Sequence, residues 1–346
     1  MKLLSICDPT RYGSPPLDVP TFYQRLSADP RVGFYHLPTP NVFTQSLPEV
    51  QVIPSSGDLT YEAFLKLGER VIDSIPLSEI DVVFCRTLKP FPTGYLDQLS
   101  LWETSTRFVN RPSSKKEQIK LDFLLKVAQD YMPAAIATAN WQEALAFFEQ
   151  FQVIVAKQAN SCGGRGVFKI WYENQQFYVD HVLAGTRTFS KFAEVMTYLQ
   201  GGMQQPLQFC RYLQHTDAGD KRVVVVDGEI YGSYLRRSKS GHWVNNVSLD
   251  GECTLAEITP EEVEAIENTV GPYQALGLHT LGYDFLLDDD GIWRISEINA
   301  GNIGGFARLE LLTGQPVMNR LIDWLLDYAQ RPRLELINPS LGVVSC

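Results

Sequence analysis

The alternation of apolar and polar positions predicts a β-hairpin near the end of the chain. Residues 281–287 and 292–299 form two apolar, β-prone runs, and an Asp-Asp-Asp-Gly turn lies between them. An Asp-Gly pair supplies the backbone angles that a tight reversal needs. Glu297 and Asn299 are two residues apart, so they point to one face of the second strand, about opposite Asp284 on the first.

Similar patterns earlier in the chain predict an α/β architecture. We expect strands at residues 3–7, 32–37, 80–85, 153–157, 167–172, 209–214, 221–227 and 229–236. We expect helices at residues 61–75, 114–129, 141–151, 190–200, 260–276 and 313–329. Asp8 and Arg86 each follow a predicted strand, as in an open parallel sheet whose site lies at the carboxyl ends of its strands.

The composition narrows the class of protein. The chain has 346 residues and is 45% hydrophobic, which suffices for a large core and two or three domains. Its net charge of -10 argues against nonspecific nucleic-acid binding, which needs a basic surface. No apolar run reaches the roughly 18–20 residues of a membrane span, and the apolar start of the chain is too short for a signal peptide. The six cysteines form no CxxC pair, so we expect reduced thiols in the cytoplasm.

The polar side chains of the hairpin suggest a metal site. The carboxylates of Asp284 and Glu297 are costly to bury together unless a positive charge lies between them. Oxygen ligands select a hard cation, Mg²⁺ before Zn²⁺, and Mg²⁺ usually keeps phosphate ligands as well. The hairpin therefore suggests nucleotide chemistry, although a polar cluster at a strand end would give the same pattern.

A glycine-rich turn after a predicted strand is a second candidate site. The strand ends at Lys157, and Gly163, Gly164 and Gly166 follow it. Glycines let backbone N–H groups approach phosphate oxygens, and the lysine can neutralise phosphate charge. The segment is not a P-loop, since it lacks the GxxxxGK[ST] pattern. A plain β-hairpin with a glycine turn is the alternative.

Two charged segments flank a pair of apolar strands. Asp220, Lys221 and Arg222 open a run of four valines, and Arg236 and Arg237 close the strand that follows the Asp-Gly turn. Each segment is weak evidence alone, because charged residues at strand ends are often simply exposed to solvent.

Taken in order, these segments resemble the ATP-grasp superfamily, and most closely the prokaryotic glutathione synthetases. The resemblance covers nearly the whole chain and is strongest over residues 212–299. It implies an α/β (α+β ATP-grasp) protein in which two ATP-grasp subdomains clamp ATP behind an N-terminal open parallel-sheet domain. The implied limits are 1–112 for the N-terminal domain, 113–205 for the lid, 206–332 for the metal and substrate subdomain, and 333–346 for a tail.

The resemblance also implies roles for individual residues. ATP would be bound by Lys120, Lys157, Gly163, Gly164, Gly166, Arg211, Tyr212, Leu213 and Asp220. Mg²⁺ (two ions, with Mn²⁺ as an alternative) would be held by Asp284, Glu297 and Asn299. The transferred phosphoryl group and the substrate carboxylate would face Arg222 and Arg237. The substrate would be bound by Arg86, Asn246, Asn302, Gly304 and Gly305.

The activity implied by the resemblance is ATP-dependent ligation of a carboxylate to an amine. Phosphoryl transfer to the carboxylate gives an acylphosphate, and attack by the amine forms an amide and releases phosphate. Substrates would be small amino acids or peptides, with γ-glutamylcysteine and glycine as the first pair and another acid and amine as the alternative. Relatives are often tetrameric, so we expect a homo-oligomer, a dimer or tetramer, with neither nucleic acid nor a membrane as partner.

The sequence departs from the glutathione synthetases in its substrate-side loops. Residues 300–305 read Ala-Gly-Asn-Ile-Gly-Gly where a Thr-Ser-Pro-Thr-like turn is usual. Residues 160–162 replace an Asp-Gly-Met segment, and residues 242–246 replace an Arg-Gly-Asn segment. This pattern suits a paralogue that joins another acid and amine.

A non-catalytic ATP-binding module and an unrelated phosphotransferase are the other hypotheses for the function of the chain. Cys162, in the glycine-rich turn, is either a reactive thiol or a packing residue.

Overall fold

The computed structural model describes residues 1–159, 161, 164–202, 204–239, 243–244 and 251–332. The strands are β1 (Lys2–Cys7), β2 (Gly33–Pro38), β3 (Glu49–Ser55), β4 (Asp73–Pro76), β5 (Val82–Cys85), β6 (Arg107–Val109), β7 (Ala135–Thr138), β8 (Ile154–Gln158), β9 (Val167–Glu173), β10 (Gln176–His181), β11 (Gly185–Phe189), β12 (Leu207–Arg211), β13 (Asp220–Val226), β14 (Glu229–Ser238), β15 (Gly251–Leu255), β16 (Thr280–Leu287) and β17 (Trp293–Asn299). The helices are α1 (Asp18–Ala28), α2 (Tyr61–Leu65), α3 (Tyr95–Ser100), α4 (Pro112–Gln118), α5 (Leu121–Ala128), α6 (Trp141–Phe151), α7 (Phe192–Gln200), α8 (Pro260–Ala275), α9 (Phe306–Thr313) and α10 (Val317–Gln330). The predicted tail and Cys162 lie outside the described residues.

The first sheet has the strand order β4-β3-β2-β1-β5-β6. Its central strands are parallel, which confirms the predicted open parallel sheet, and β3 and β4 extend one edge in antiparallel fashion. Strand β1 is apolar on both faces: Leu4 and Ile6 pack into one core, and Leu3 and Cys7 pack into the other. Burial of both faces is typical of parallel strands.

Two helix predictions failed for different physical reasons. The helix predicted at residues 61–75 ends at Leu65, because β4 pairs with β3 and buries Ile75 in the sheet. The helix predicted at 114–129 is interrupted at Lys120, whose backbone is extended between α4 and α5. In the first case, pairing of β4 with β3 outweighed the helical pattern. In the second case, the extended backbone of Lys120 divides the predicted helix into α4 and α5.

The other two sheets are antiparallel. The second sheet has the order β11-β10-β9-β8-β12-β7, and the third has the order β15-β14-β13-β16-β17. Helices α6 and α7 pack on the second sheet, whereas α5 and α8 pack on the third. Strand β12 belongs to the second sheet, although its residues come after residue 205, the predicted end of the lid subdomain. The domain limits stay a prediction. Over the described stretches of chain, no helix is both long and apolar enough to cross a membrane.

The side chain of Asn110 joins the first sheet to the third. Its Nδ2 donates to the carbonyl oxygens of Thr280 and Ala300, both at 2.8 Å. Its Oδ1 accepts from the backbone N–H groups of His279 and Thr280, at 2.6 and 2.9 Å. Asn110 is buried, so these bonds are not exchanged for bonds to water. The amide thereby fixes both ends of the hairpin of β16 and β17 against the N-terminal domain.

We predict that Asn110→Ala lowers the free energy of unfolding by roughly 3–4 kcal/mol, because it leaves buried backbone groups without partners. Urea unfolding followed by circular dichroism measures the change. The control is Asn268→Ala, which removes one exposed bond to the Tyr131 hydroxyl and should cost less than about 1 kcal/mol. Equal losses in the two variants would contradict the role assigned to Asn110.

Candidate functional site

A cavity of about 390 Å³ is lined by residues of β8, β12, β13, β16 and β17 and by the segment after β5. Twelve of the residues singled out from the sequence line it. They are Lys120, Lys157, Gly164, Arg211, Tyr212, Leu213, Asp220, Arg222, Asp284, Glu297, Asn299 and Asn302. The structure thus brings together side chains from segments far apart in the sequence.

Seven further candidates are not part of this lining. Gly163 and Asn246 lie outside the described residues. The candidates that are described but lie away from the cavity surface are Arg86, Gly166, Arg237, Gly304 and Gly305.

The predicted oxygen cluster lies on the hairpin of β16 and β17. Asp284 pairs in register with Glu297, about where the sequence placed it, and Asn299 pairs with Gly282. A β-bulge interrupts the ladder after Asp284 and leaves Ser296 without a paired residue. The Ser296 carbonyl accepts from Lys157 Nζ at 2.8 Å. The bulge therefore brings the lysine of the second sheet to the oxygen cluster of the third.

Two arginines, one on β13 and one on β14, bind Asp284. Arg222 donates to both carboxylate oxygens, at 2.5 Å from Nε and 2.8 Å from Nη2. Arg236 Nη2 donates to Asp284 at 2.7 Å and to Asp220 at 2.6 Å. Burial raises the pKa of Asp220 to about 6, with Arg236 opposing the rise. Burial acts on Asp284 in the same direction, but Arg222 and Arg236 outweigh it and hold the pKa of Asp284 below its ordinary value.

The structure places Arg236, and not Arg237, in the cavity. Arg237 is exposed, and its Nε donates to the Ala218 carbonyl at 3.1 Å. A hairpin without irregularities would place Arg237 on the face of Asp220, but a β-bulge between Val224 and Val225 shifts the register by one residue. Such a shift exchanges the two faces of a strand. The sequence carries no clear signal for this bulge.

Two predicted ATP-binding cations are already paired within the chain. Lys120 forms an exposed ion pair with Glu117, at 2.7 Å. Arg211 binds Asp288 and Asp289 in the turn between β16 and β17, at 2.6 and 2.8 Å. The Arg211 guanidinium thus ties the second sheet to the third, and the role of the segment around it in binding ATP stays a prediction.

Aromatic and thiol side chains at the end of β12 form another wall of the cavity. The Lys169 ammonium lies 3.8 Å from the centroid of the Tyr212 ring, and the Trp243 ring meets Tyr212 edge-on at 6.3 Å. Trp243 Nε1 donates to Asp180 of β10 at 2.6 Å. Burial raises the pKa of the Cys210 thiol, which keeps it protonated. Sequence reasoning missed Trp243 as a site residue, although it lies in a segment where the chain departs from its relatives.

The glycine-rich turn after Asn299 is held by the N-terminal domain. The N–H groups of Gly305 and Ala307 donate to the Asp18 carboxylate, both at 2.8 Å. Gly305 has a φ of +126°, and a Cβ there would lie 2.8 Å from Val224. An internal carboxylate therefore occupies the Gly305 amide, and the substrate-binding role of Gly304 and Gly305 stays a prediction.

Arg86 and Asn302 support the same turn. Arg86 is 1% exposed, and its Nη2 donates to the Ile303 carbonyl at 2.9 Å. Asn302 donates to the Arg86 carbonyl at 2.6 Å and to the Tyr12 hydroxyl at 2.8 Å. Arg86 is thus a buried support rather than a cavity residue, whereas Asn302 also lines the cavity.

The donor set of the oxygen cluster fits Mg²⁺ bound together with phosphate. In the described parts of the chain, no group of three or more His, Cys, Asp or Glu side chains could hold a metal ion alone. Two carboxylates and one amide leave coordination positions for phosphate oxygens and water, as Mg²⁺ sites with nucleotides require. The Oδ1 of Asp220 and the Nε of Arg236 are buried without a hydrogen-bond partner among the described residues, which leaves an acceptor and a donor for a ligand.

Comparisons of sequence point to one family. Residues 123–314 match the family model for the ATP-grasp domain of prokaryotic glutathione synthetase. The glutathione synthetase of Brucella melitensis is 27% identical over 241 residues, which cover 69% of this chain and 70% of that protein. The glutathione synthetase of Mesorhizobium japonicum is 26% identical over 278 residues, which cover 80% of both proteins.

Comparisons of structure show the ATP-grasp fold. A RiPP-associated ATP-grasp ligase of Chryseobacterium gregarium, solved with ADP and a leader and core peptide, is 17% identical, with a TM-score of 0.60. The match covers 95% of this chain and 98% of that one. The D-cycloserine synthetase DcsG is 13% identical, with a TM-score of 0.62 and coverage of 94% and 100%. At these identities the likeness concerns the fold alone.

We predict that Asp18→Ala lowers the free energy of unfolding by about 2 kcal/mol, because it removes two bonds and a negative charge at the start of α9. Asp18→Asn keeps one acceptor and should lose less. Chemical unfolding of both variants measures the changes. The control is Asp58→Ala, an exposed acid whose loss should change stability by less than about 0.5 kcal/mol. An unchanged stability of Asp18→Ala would show that the cap does not hold the turn.

Proposed function

The chain belongs to the prokaryotic glutathione synthetase family of ATP-grasp enzymes, and on this premise we propose that it joins the carboxylate of one amino acid or peptide to the amine of another. It is an ATP-dependent ligase, and ligases of this fold use ATP and Mg²⁺. The observation that carries the proposal is the arrangement of Asp284, Glu297 and Asn299 beside Arg222 and Arg236 in one cavity. That set combines ligands for metal ions with cations for a phosphoryl group.

The charge of the cavity supports an anionic ligand. The chain has a net charge of -10, yet among the described residues that line the cavity the cations outnumber the carboxylates. The cations are Lys89, Lys120, Lys157, Arg211, Arg222 and Arg236. The carboxylates are Asp220, Asp284 and Glu297. Lys120 and Arg211 are already paired with carboxylates outside the lining, so four other cations face three carboxylates. A cleft with this excess of cations attracts and orients a polyanion such as a nucleoside triphosphate.

Each group of residues has a task in the proposed reaction. Asp284, Glu297 and Asn299 would hold the Mg²⁺ ions, and we propose two. Lys157, Arg222 and Arg236 would neutralise charge on the transferred phosphoryl group and the substrate carboxylate. When bound, ATP supplies the phosphoryl group and Mg²⁺ screens its charge. No nucleophilic side chain is needed, because the protein positions the reactants, so the thiols have no catalytic task.

The substrate pair is the finer part of the proposal. Family membership favours γ-glutamylcysteine and glycine. The turn after Asn299 favours a different acid and amine, since the Gly305 amide is occupied by Asp18 and the turn presents Asn302 and Ile303 to the cavity. We therefore propose a glutathione synthetase or a related peptide ligase. A homo-oligomer, a dimer or tetramer, remains a prediction.

The experiment is an ADP-release assay coupled to mass spectrometry of the product. The first pair is γ-glutamylcysteine with glycine, followed by a panel of amino acids and dipeptides as acid and as amine. Amide product with one ADP and one phosphate released is the expected result. Turnover only with another pair would replace glutathione by that product, and a phosphorylated product without an amide would contradict ligation.

We predict that Glu297→Ala lowers turnover at least roughly a thousandfold, because it removes a metal ligand from the phosphoryl-transfer site. Glu297 is exposed, so the thermal unfolding midpoint should not change. Glu267→Ala, an exposed residue of α8, is the matched control and should keep full turnover. Near-normal turnover of Glu297→Ala would refute the metal-ligand role.

A further inference from the structure

The carboxylate of Asp284 is fully engaged by donors of its own chain. Its Oδ1 accepts from Arg222 Nε at 2.5 Å and from Arg236 Nη2 at 2.7 Å. Its Oδ2 accepts from Arg222 Nη2 at 2.8 Å and from Asn299 Nδ2 at 3.2 Å. A carboxylate offers about four lone-pair sites, so no site on Asp284 is left for a metal ion.

Glu297 differs from Asp284 in this respect. It is exposed at the cavity, and its carboxylate forms no ion pair or hydrogen bond with the described residues. One carboxylate of the oxygen cluster is therefore open to a cation, while the other is neutralised by two guanidinium groups. A Mg²⁺ ion bound directly to Asp284 would lie beside those guanidinium groups, and like charges at such distances repel.

Arg236 has a second set of contacts that suits a change of partner. Its Nη2 also donates to Asp220 at 2.6 Å, and its buried Nε has no partner among the described residues. Arg236 can therefore keep its bond to Asp220 while it exchanges Asp284 for an anion in the cavity. Phosphate oxygens are acceptors of the charge and geometry that a guanidinium group binds best.

We propose that Arg236 is a positioning residue that blocks the metal site at Asp284 until nucleotide phosphates draw its guanidinium away. Metal ion and nucleotide then bind strongly only together, because each removes a charge that opposes the other. The proposal rests on the proposed function. It differs from a purely structural ion pair, in which Arg236 would hold Asp284 in every state and its loss would only weaken metal binding.

The test uses Mn²⁺ as the probe, with binding followed by electron paramagnetic resonance in the absence of nucleotide. We expect weak binding to the unmodified protein. Arg236→Gln should bind Mn²⁺ alone about tenfold more tightly, because one charge-assisted hydrogen bond no longer competes for Asp284. Arg237→Gln is the matched control: the neighbouring arginine is exposed and lies outside the cavity lining, and its Nε donates to the Ala218 carbonyl, so the affinity of this variant should equal that of the unmodified protein.

Two outcomes would overturn the proposal: Arg236→Gln binding Mn²⁺ alone no more tightly than the unmodified protein, or the unmodified protein binding Mn²⁺ equally well with and without ADP. The second measurement needs no variant, so it decides even if Arg236→Gln fails to fold. Arg236→Lys keeps a positive charge beside Asp220 but lacks the planar guanidinium group that can bind two acceptors. Its affinity for Mn²⁺ alone should rise less than that of Arg236→Gln.

Calorimetry with ADP alone distinguishes failure of this proposal from failure of the proposed ligase function. If ADP binds the unmodified protein but Arg236→Gln gains no Mn²⁺ affinity, the blocking role fails and the ligase assignment stands. If ADP binds neither the unmodified protein nor Arg237→Gln, the nucleotide site itself is wrong.

Discussion

Mutual neutralisation of buried charges on one face of the third sheet is the constraint on which the site depends. Asp220, Arg222, Arg236 and Asp284 lie on adjacent strands, and each has less than a fifth of its side chain exposed. An unpaired charge at such depth would cost several kcal/mol, so each residue requires the others. Removal of any member would leave the opposite charge stranded, which makes the cluster a unit.

This unit explains why the sheets must register as they do. Strand β13 is central, and it pairs with β14 and β16, which carry the other members of the cluster. The bulge in β14's ladder brings Arg236 to the face of Asp220 and Arg222. Asn110 and Asp18 then fix the hairpin and its following turn to the N-terminal domain from outside the cluster. The charged cluster and these contacts with the N-terminal domain thereby fix different sides of the same cavity.

The sequence was informative where periodicity is local. The alternation that places Glu297 and Asn299 on one face is a property of one short strand, so it could be predicted, as could the parallel order of the first sheet. Their register with Asp284 depends on the bulge after Asp284. The choice between Arg236 and Arg237 depends on a bulge, which arises from packing on both faces of a hairpin and leaves no composition signal. Likewise Arg86 follows a strand as a site residue should, and only the tertiary fold shows that it is buried beneath the turn.

The turn that borders the substrate end is held by Asp18, which lies 287 residues away from Gly305 along the chain. Substitutions in the first helix can therefore reshape that end of the cavity without altering the metal-binding hairpin. If the turn contacts the substrate as proposed, selectivity depends on a segment of the chain distant from the hairpin that carries the oxygen cluster, so substrate preference could change without loss of the ligation step. Mutant libraries confined to the C-terminal half would then leave Asp18, one support of that turn, unsampled.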